Sequence, residues 1–169
     1  MAYTTIPKVR RDGTIQLRDG TGSPVTLDVS YEEGNLTIDN LNDLRDQTVI
    51  RDRGEIVAVR KADQQPLTGS FSFYFRAFTD AEVGGIRDFI TGSNAYSANI
   101  STGGTGSPYV EHFCVDIQYT VEGTDFGDDA DHVATLSKCV CNLSLSEGDP
   151  STYALSFTTY GGVTFTGPT

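Results

Sequence analysis

His132-Val-Ala-Thr-Leu-Ser-Lys-Cys-Val-Cys-Asn-Leu-Ser-Leu-Ser-Glu-Gly-Asp-Pro-Ser-Thr-Tyr-Ala-Leu-Ser-Phe-Thr-Thr-Tyr160 is the stretch on which the fold turns. Cys139, Cys141, Leu143 and Leu145 alternate with Asn142 and Ser144. A period of two is the signature of a half-buried strand. Glu147-Gly-Asp-Pro150 has turn chemistry. Beyond it Tyr153, Leu155 and Phe157 alternate with Thr152, Ser156 and Thr158. The spacing predicts a long strand over 132–146 and a hairpin partner over 151–160, with one apolar face and one hydroxyl-rich face.

The same pattern recurs upstream. Val25, Leu27, Val29 and Tyr31 alternate with Thr26, Asp28 and Ser30; Glu32-Glu33-Gly34 breaks the run, and Leu36 and Ile38 resume among Asn35, Thr37 and Asp39. This reads as a second hairpin. Val29-Ser-Tyr-Glu-Glu-Gly34 aligns with Leu143-Ser-Leu-Ser-Glu-Gly148, which fits either a weak internal repeat or the same physics used twice. Residues 13–18 read as a short strand, Leu67 to Phe78 as a strong one with Phe71, Phe73 and Phe75 on one face. Tyr109 to Glu122 and Val163 to Phe165 read as further strands, and Tyr96 to Ile100 as a weaker one.

Residues 40–66 are polar, with two short strands around Asp52-Arg53-Gly54, and form a long loop or an excursion from the body. One helix is expected at about 80–91. Thr79-Asp-Ala-Glu82 is a capping box, Val83, Ile86, Phe89 and Ile90 form an apolar stripe, and Gly92 is a stop. Gly84-Gly85 weakens that helix, so packing on the sheet must hold it.

With 169 residues and 18.2 kDa, the chain reads as one domain spanning 1–169. Lysine and arginine total 12 against 23 aspartates and glutamates, a net charge of −11, which disfavours a phosphate-gripping surface. No apolar run suits a membrane span, and Met1-Ala-Tyr-Thr-Thr-Ile-Pro-Lys has no apolar core of a secretory leader. Cys114, Cys139 and Cys141 are an odd number, against a disulfide framework; Cys139 and Cys141 share a face and read as small core residues. No zinc set is evident with His112 and His132.

Gly103-Gly-Thr-Gly-Ser lacks the Lys-Ser/Thr of a phosphate loop. Asp125-Phe-Gly-Asp-Asp-Ala-Asp-His132 has Leu136 where a calcium loop needs its twelfth-position glutamate, so it reads as a solvated acidic loop. No catalytic string, cofactor or metal site is expected, and the chain is read as a non-enzyme.

A ribbon with one greasy face and one hydroxyl face suits a surface hairpin or the lining of a water-filled lumen. In the second case the exposed edges need pairing, which a closed ring of copies provides. Several features together resemble the tail tube (major tail) proteins of tailed bacteriophages, which share a fold with the inner tube of type VI secretion and related injection machines. They are the early ribbon Val25–Asp39 with its Glu-Gly turn, the polar segment after it, and the strand into a capped helix over Leu67–Ile90. The Glu-Gly-Asp-Pro turn, Tyr-Ala-Leu-Ser-Phe and the terminal Gly-Val-Thr-Phe-Thr-Gly complete them.

The resemblance implies a mainly β subunit, an antiparallel β-sandwich or half-barrel with one short flanking helix and a long loop. Six copies would form a ring, and rings would stack into a tube. About 24 strands at ~4.8 Å and ~40° tilt enclose a backbone diameter near ~48 Å, wide enough for duplex DNA. It further implies that Asp28, Asp39, Thr26, Ser30, Thr37, Ser144, Ser156 and Thr158 line the lumen. Loop 40–66 would stack rings, with Asp43, Arg45, Asp46, Arg51, Arg53, Arg60 and Lys61 as inter-ring contacts. Lys138 stands on the polar phase of its strand and is expected beyond the barrel or paired with a carboxylate.

The implied partners are other copies of the chain, tape-measure and tail-end proteins, and a sheath where the tail is contractile. DNA passes without specific binding, no membrane is involved, and the location is the virion tail, made in the host cytoplasm. The alternative is another virion or surface β-sandwich, a capsid-decoration or adhesion module.

Overall fold

The computed structural model describes residues 13–20, 22–29, 35–42, 45–74, 85–92, 112–124, 127 and 129–167. The capping box Thr79–Glu82, Phe75, Val83, Ser30, Asp43, the 96–100 strand and the 103–107 glycine-rich stretch lie outside them. Among the described residues ten strands and one helix follow in order. They are β1 (Gly13–Arg18), β2 (Thr26–Val29), β3 (Thr37–Asp39), β4 (Arg45–Asp52), β5 (Glu55–Gln64), β6 (Leu67–Tyr74), α1 (Ile86–Thr91), β7 (Val115–Val121), β8 (His132–Ser146), β9 (Thr152–Thr159) and β10 (Val163–Thr166). All pairings are antiparallel.

The main sheet runs β2-β1-β7-β8-β9-β6-β3, with β10 also on β8. Its organising element is β8, the 15-residue strand. Ala134 and Leu136 point to the core in its first half, Cys139 in its second. The phase of alternation therefore slips by one residue between Leu136 and Cys139. The register with β7 shows the same slip, Ile117 facing Leu136 but Val115 facing Cys139. An extra residue in one strand is a β-bulge, which bends that strand. Lys138 sits there with φ +55°, a left-handed conformation that non-glycine residues rarely take. Its amide donates to the Asp116 carboxylate at 2.9 Å. On the other side, Tyr160 to Gly162 turns in step: Gly161 N donates to Ser137 O and Ser137 N to Gly162 O.

The bend makes two layers of one sheet. The first holds β2, β1, β7, the first half of β8, and β10; the second holds the rest of β8, β9, β6 and β3. Between them lie Ile15, Leu17, Ile117, Leu136, Leu155, Phe71, Phe73 and Phe157, all buried. Each contributes about 1.5–3 kcal/mol by leaving water. Phe71 meets Phe73 and Phe157 with ring centroids 5.7 and 6.5 Å apart. The mainly β, antiparallel character is the one expected from the alternation, and the layering with one short helix is the one the resemblance implies.

Two sequence expectations change. The Val25–Asp39 ribbon does not close as a hairpin: β2 pairs with β1 and β3 with β6, at opposite ends of the sheet. Alternation sets the face a residue takes, and it carries no information on which strand lies alongside. The described helix is also shorter than 80–91. Gly85 is extended (ψ 171°) and is the N-cap without a side-chain bond. Ile86 and Phe89 are buried as the stripe predicts, and Gly92 ends the helix in the left-handed conformation.

No disulfide joins Cys114, Cys139 and Cys141. Cys139 is fully buried beside the Thr159 hydroxyl (3.2 Å), and burial pushes its thiol up to about 12. Burial also raises the Cys141 thiol well above its usual value. The core parity of both is the one the sequence predicts.

Gly69 sits on the core side of β6 between Leu67 and Phe71, opposite Phe157 and Ile38. A Cβ there would run into the Phe157 ring and the Thr37 carbonyl. Gly69→Ala is expected to destabilise by about 1–3 kcal/mol in urea unfolding, whereas the outward Thr68→Ala should change stability by less than about 0.5 kcal/mol. Cys139 should resist maleimide at pH 8 in the native protein and react on unfolding, since almost none of it is thiolate; peptide mapping of the adduct reads this out.

Candidate functional site

The second layer presents a continuous polar face away from the core. Cross-strand register aligns its side chains in rows across four strands. Thr37 faces Ser70, Ser70 faces Ser156, and Ser156 faces Asn142. The next row is Asp39, Thr68, Thr158 and Val140. In the other direction come Ser72, Ala154 and Ser144, then Tyr74, Thr152 and Ser146. Asn35 extends the Ser72 row: its amide donates to the Ser72 hydroxyl and its carbonyl oxygen accepts the Ser72 amide at 3.1 Å. The Thr37 and Ser70 hydroxyls are 3.1 Å apart, and Ser144 donates to Ala154 O at 3.3 Å. The middle of this face is an open trough along β6, β8 and β9.

The electrostatics are simple. Among the described residues these rows hold one carboxylate, Asp39, and no lysine or arginine. Lys138 lies at the bend, beyond the last row, and is exposed.

The layer is unfinished at both sides. Cys139 pairs with Val115 on one side and Thr159 on the other. Beyond it β8 stays paired with β9 as far as Ser146, while β7 ends. Val140–Ser146 therefore has one edge without a strand among the described residues. β3 pairs with β6 alone, so its outer edge is likewise open among them.

The expected lining residues are thus divided. Thr37, Asp39, Ser144, Ser156 and Thr158 share this face. Thr26 and Asp28 lie on β2 in the first layer, where Gln16 Nε2 donates to the Asp28 carboxylate at 2.8 Å. Thr68, Ser70, Ser72 and Asn142 join the face. Ser70 and Ser72 carry the same period-two signal, and only the pairing of β6 between β3 and β9 reveals the site they belong to.

A second feature is the β4–β5 ribbon, formed by 45–64. Its strands pair only with each other among the described residues. Arg53 (φ +50°) and Gly54 (φ +90°) make the tight tip, the backbone of a two-residue type I′ turn. At the root, Asn40 donates to Gln65 O (3.0 Å), and Gln65 donates to Asp46 (2.7 Å). Directly opposed residues share a face: Gln47 with Lys61, Val49 with Val59 and Arg51 with Ile56 on one, Thr48 with Arg60 and Ile50 with Ala58 on the other. Val49, Ile56, Val57 and Val59 are 42%, 57%, 64% and 54% exposed. The expected contact residues Arg45, Asp46, Arg51, Arg53, Arg60 and Lys61 are all on this ribbon.

The acidic loop shows a structural role. Asp131 accepts the amides of Gly123 (3.1 Å) and Thr124 (3.5 Å) and the Thr124 hydroxyl (3.4 Å). The Gly123 bond, with those of Thr124, holds its carboxyl below the ordinary range.

No protein-family model matches the sequence, and no curated protein matches it. Two solved assemblies contain chains of similar fold. One is the PVC sheath-tube complex of an extracellular contractile injection system in its extended state, determined by cryo-EM. Its chain aligns with a TM-score of 0.59 at 10% identity, covering 96% of this chain and 93% of that one. The other is the six-fold symmetrised baseplate of the anti-feeding prophage, with a TM-score of 0.52 at 11% identity, covering 97% and 98%. The chain thus shares, over nearly its whole length, a fold found in contractile injection assemblies.

Proposed function

We propose that the chain is a structural tube subunit of a phage-tail-like particle. Six copies close into a ring, rings stack, and the hydroxyl-rich face of the second layer lines the bore. The carrying observation is that face, which among the described residues is four strands wide with an open edge on each side and free of basic residues. Open edges demand pairing, and rotation about an axis lets the β3 edge of one copy meet the Val140–Ser146 edge of the next. The similarity to chains of a sheath-tube complex and a six-fold baseplate supports the same reading.

Four strands from each of six copies give about 24, the number whose backbone diameter near ~48 Å leaves room for duplex DNA. A lysine in the bore would bind phosphate by releasing counterions and retain each turn of duplex. Hydroxyls offer no net charge, and one Asp39 per copy repels phosphate weakly. DNA therefore slides without adhering. Thr26 and Asp28 belong on this reading to the outer layer. Tape-measure and tail-end proteins meet the tube at its bore and ends, a sheath meets the outer layer, and the location is the virion tail. The ribbon is the inter-ring element, with Arg51, Arg53, Arg60 and Lys61 at its contacts. The subunit carries no catalysis of its own.

Purified protein is expected to form rings and tubes with rising concentration, seen by negative-stain microscopy; a chain that stays monomeric at millimolar concentration would contradict the reading. Asp39→Lys should leave tubes intact but make them retain duplex DNA at low salt and release it as salt rises. Asp28→Lys tubes should retain none, and co-sedimentation with labelled DNA measures both.

A further inference from the structure

The ribbon and the β8–β9 turn stand at opposite ends of the second layer. The ribbon leaves through Asn40 and Gln65, beside Leu67, which pairs with Thr159. The Glu147–Ser151 turn follows Ser146, which pairs with Thr152, itself opposite Tyr74. Seven residue steps along β6 separate the two ends, about 24 Å at strand rise.

Their chemistry is complementary. Residues 45–64 hold five of the chain's 12 basic residues and four of its 23 acidic ones, so the remainder of the chain is strongly acidic. The two faces of the ribbon differ in charge, with Arg60 on the side of Asp52 and Glu55. The Val49, Val59 and Ile56 face is flanked by Arg51 and Lys61 and has no carboxylate among its opposed pairs; Asp52 and Glu55 lie on the other side. At the far end Leu145 is 58% exposed, next to the exposed Glu147 and Asp149. Gly148 and Ser151 hold that turn through Gly148 N to Ser151 Oγ (3.4 Å) and Ser151 Oγ to Gly148 O (3.3 Å). The ribbon thus carries an exposed apolar strip between two cations, and the far end an exposed leucine beside two carboxylates.

We propose that the Val49, Val59 and Ile56 face of the ribbon docks on the Leu145, Glu147 and Asp149 end of a second copy of this chain, joining copies head to tail. The inference rests on the tube reading and names the receiving surface that reading leaves open. Apolar contact gives the joint its stability, and the charge pairs give it polarity: ribbon against ribbon or turn against turn places like charges together.

The test is a charge exchange in the full chain, on exposed positions whose variants should keep the wild-type melting temperature. Arg51→Glu with Lys61→Glu, and separately Glu147→Lys with Asp149→Lys, should each cut the sedimenting tube fraction about tenfold while rings persist in negative stain. A chain carrying all four substitutions should recover tubes. Tubes unaffected by either pair, or four substitutions that leave rings unstacked, would overturn the docking and leave the ring reading standing. A wild-type chain that forms no rings at any concentration would overturn both.

Discussion

A strand that bends from one layer into another is free to change its neighbours at the bend. β8 does this at Ser137 and Lys138, where one extra residue shifts the alternation and turns the strand. Before the bend β7 lies beside it; after the bend no strand among the described residues covers that side from Val140 to Ser146. Backbone amides and carbonyls left on an edge are satisfied by water, by a loop or by another strand. Among the described residues the four-stranded layer has such an edge at each side, and the two edges belong to different strands. Two unlike open edges suit heterologous addition of copies, and the proposed tube requires that the rotation per copy close the series into a ring.

The layer's two faces then divide the labour. Phe71, Phe73, Leu155 and Phe157 fill the space against Leu17, Ile117 and Leu136, and this packing holds the layer stiff. Their neighbours in sequence, Ser70, Ser72, Ser156 and Thr158, are pushed to the other face by the pleat. Burial of the first set thus fixes the position of the second, and the chemistry of the polar face follows from the core behind it.

Much of this is legible in the sequence, for definite reasons. β8, β9 and their turn are read from alternation on both sides of Glu147-Gly-Asp-Pro150, and local pairing needs no information from elsewhere. The ribbon tip at Arg53-Gly54 and the helix stop at Gly92 follow from turn and cap chemistry. The partners of β2 and β3 do not. Their alternation is as clear as that of β8, yet they end up at opposite edges because pairing over long separations is decided by the whole core. For that reason Thr37 and Asp39 fall on the candidate site with Ser144, Ser156 and Thr158, while Thr26 and Asp28 fall elsewhere. The sequence reads 132–146 as one unbroken strand; the change of phase between Leu136 and Cys139 emerges only from burial and from the register with β7.

The most direct measurement is a cryo-EM reconstruction of the assembled protein at a resolution that shows side chains. The account predicts that Thr37, Ser70, Ser156 and Asn142 face a common axis and that β3 of one copy hydrogen-bonds to the Val140–Ser146 edge of the next. Those rows on the outside of the particle, or an assembly in which both edges stay unpaired, would contradict it.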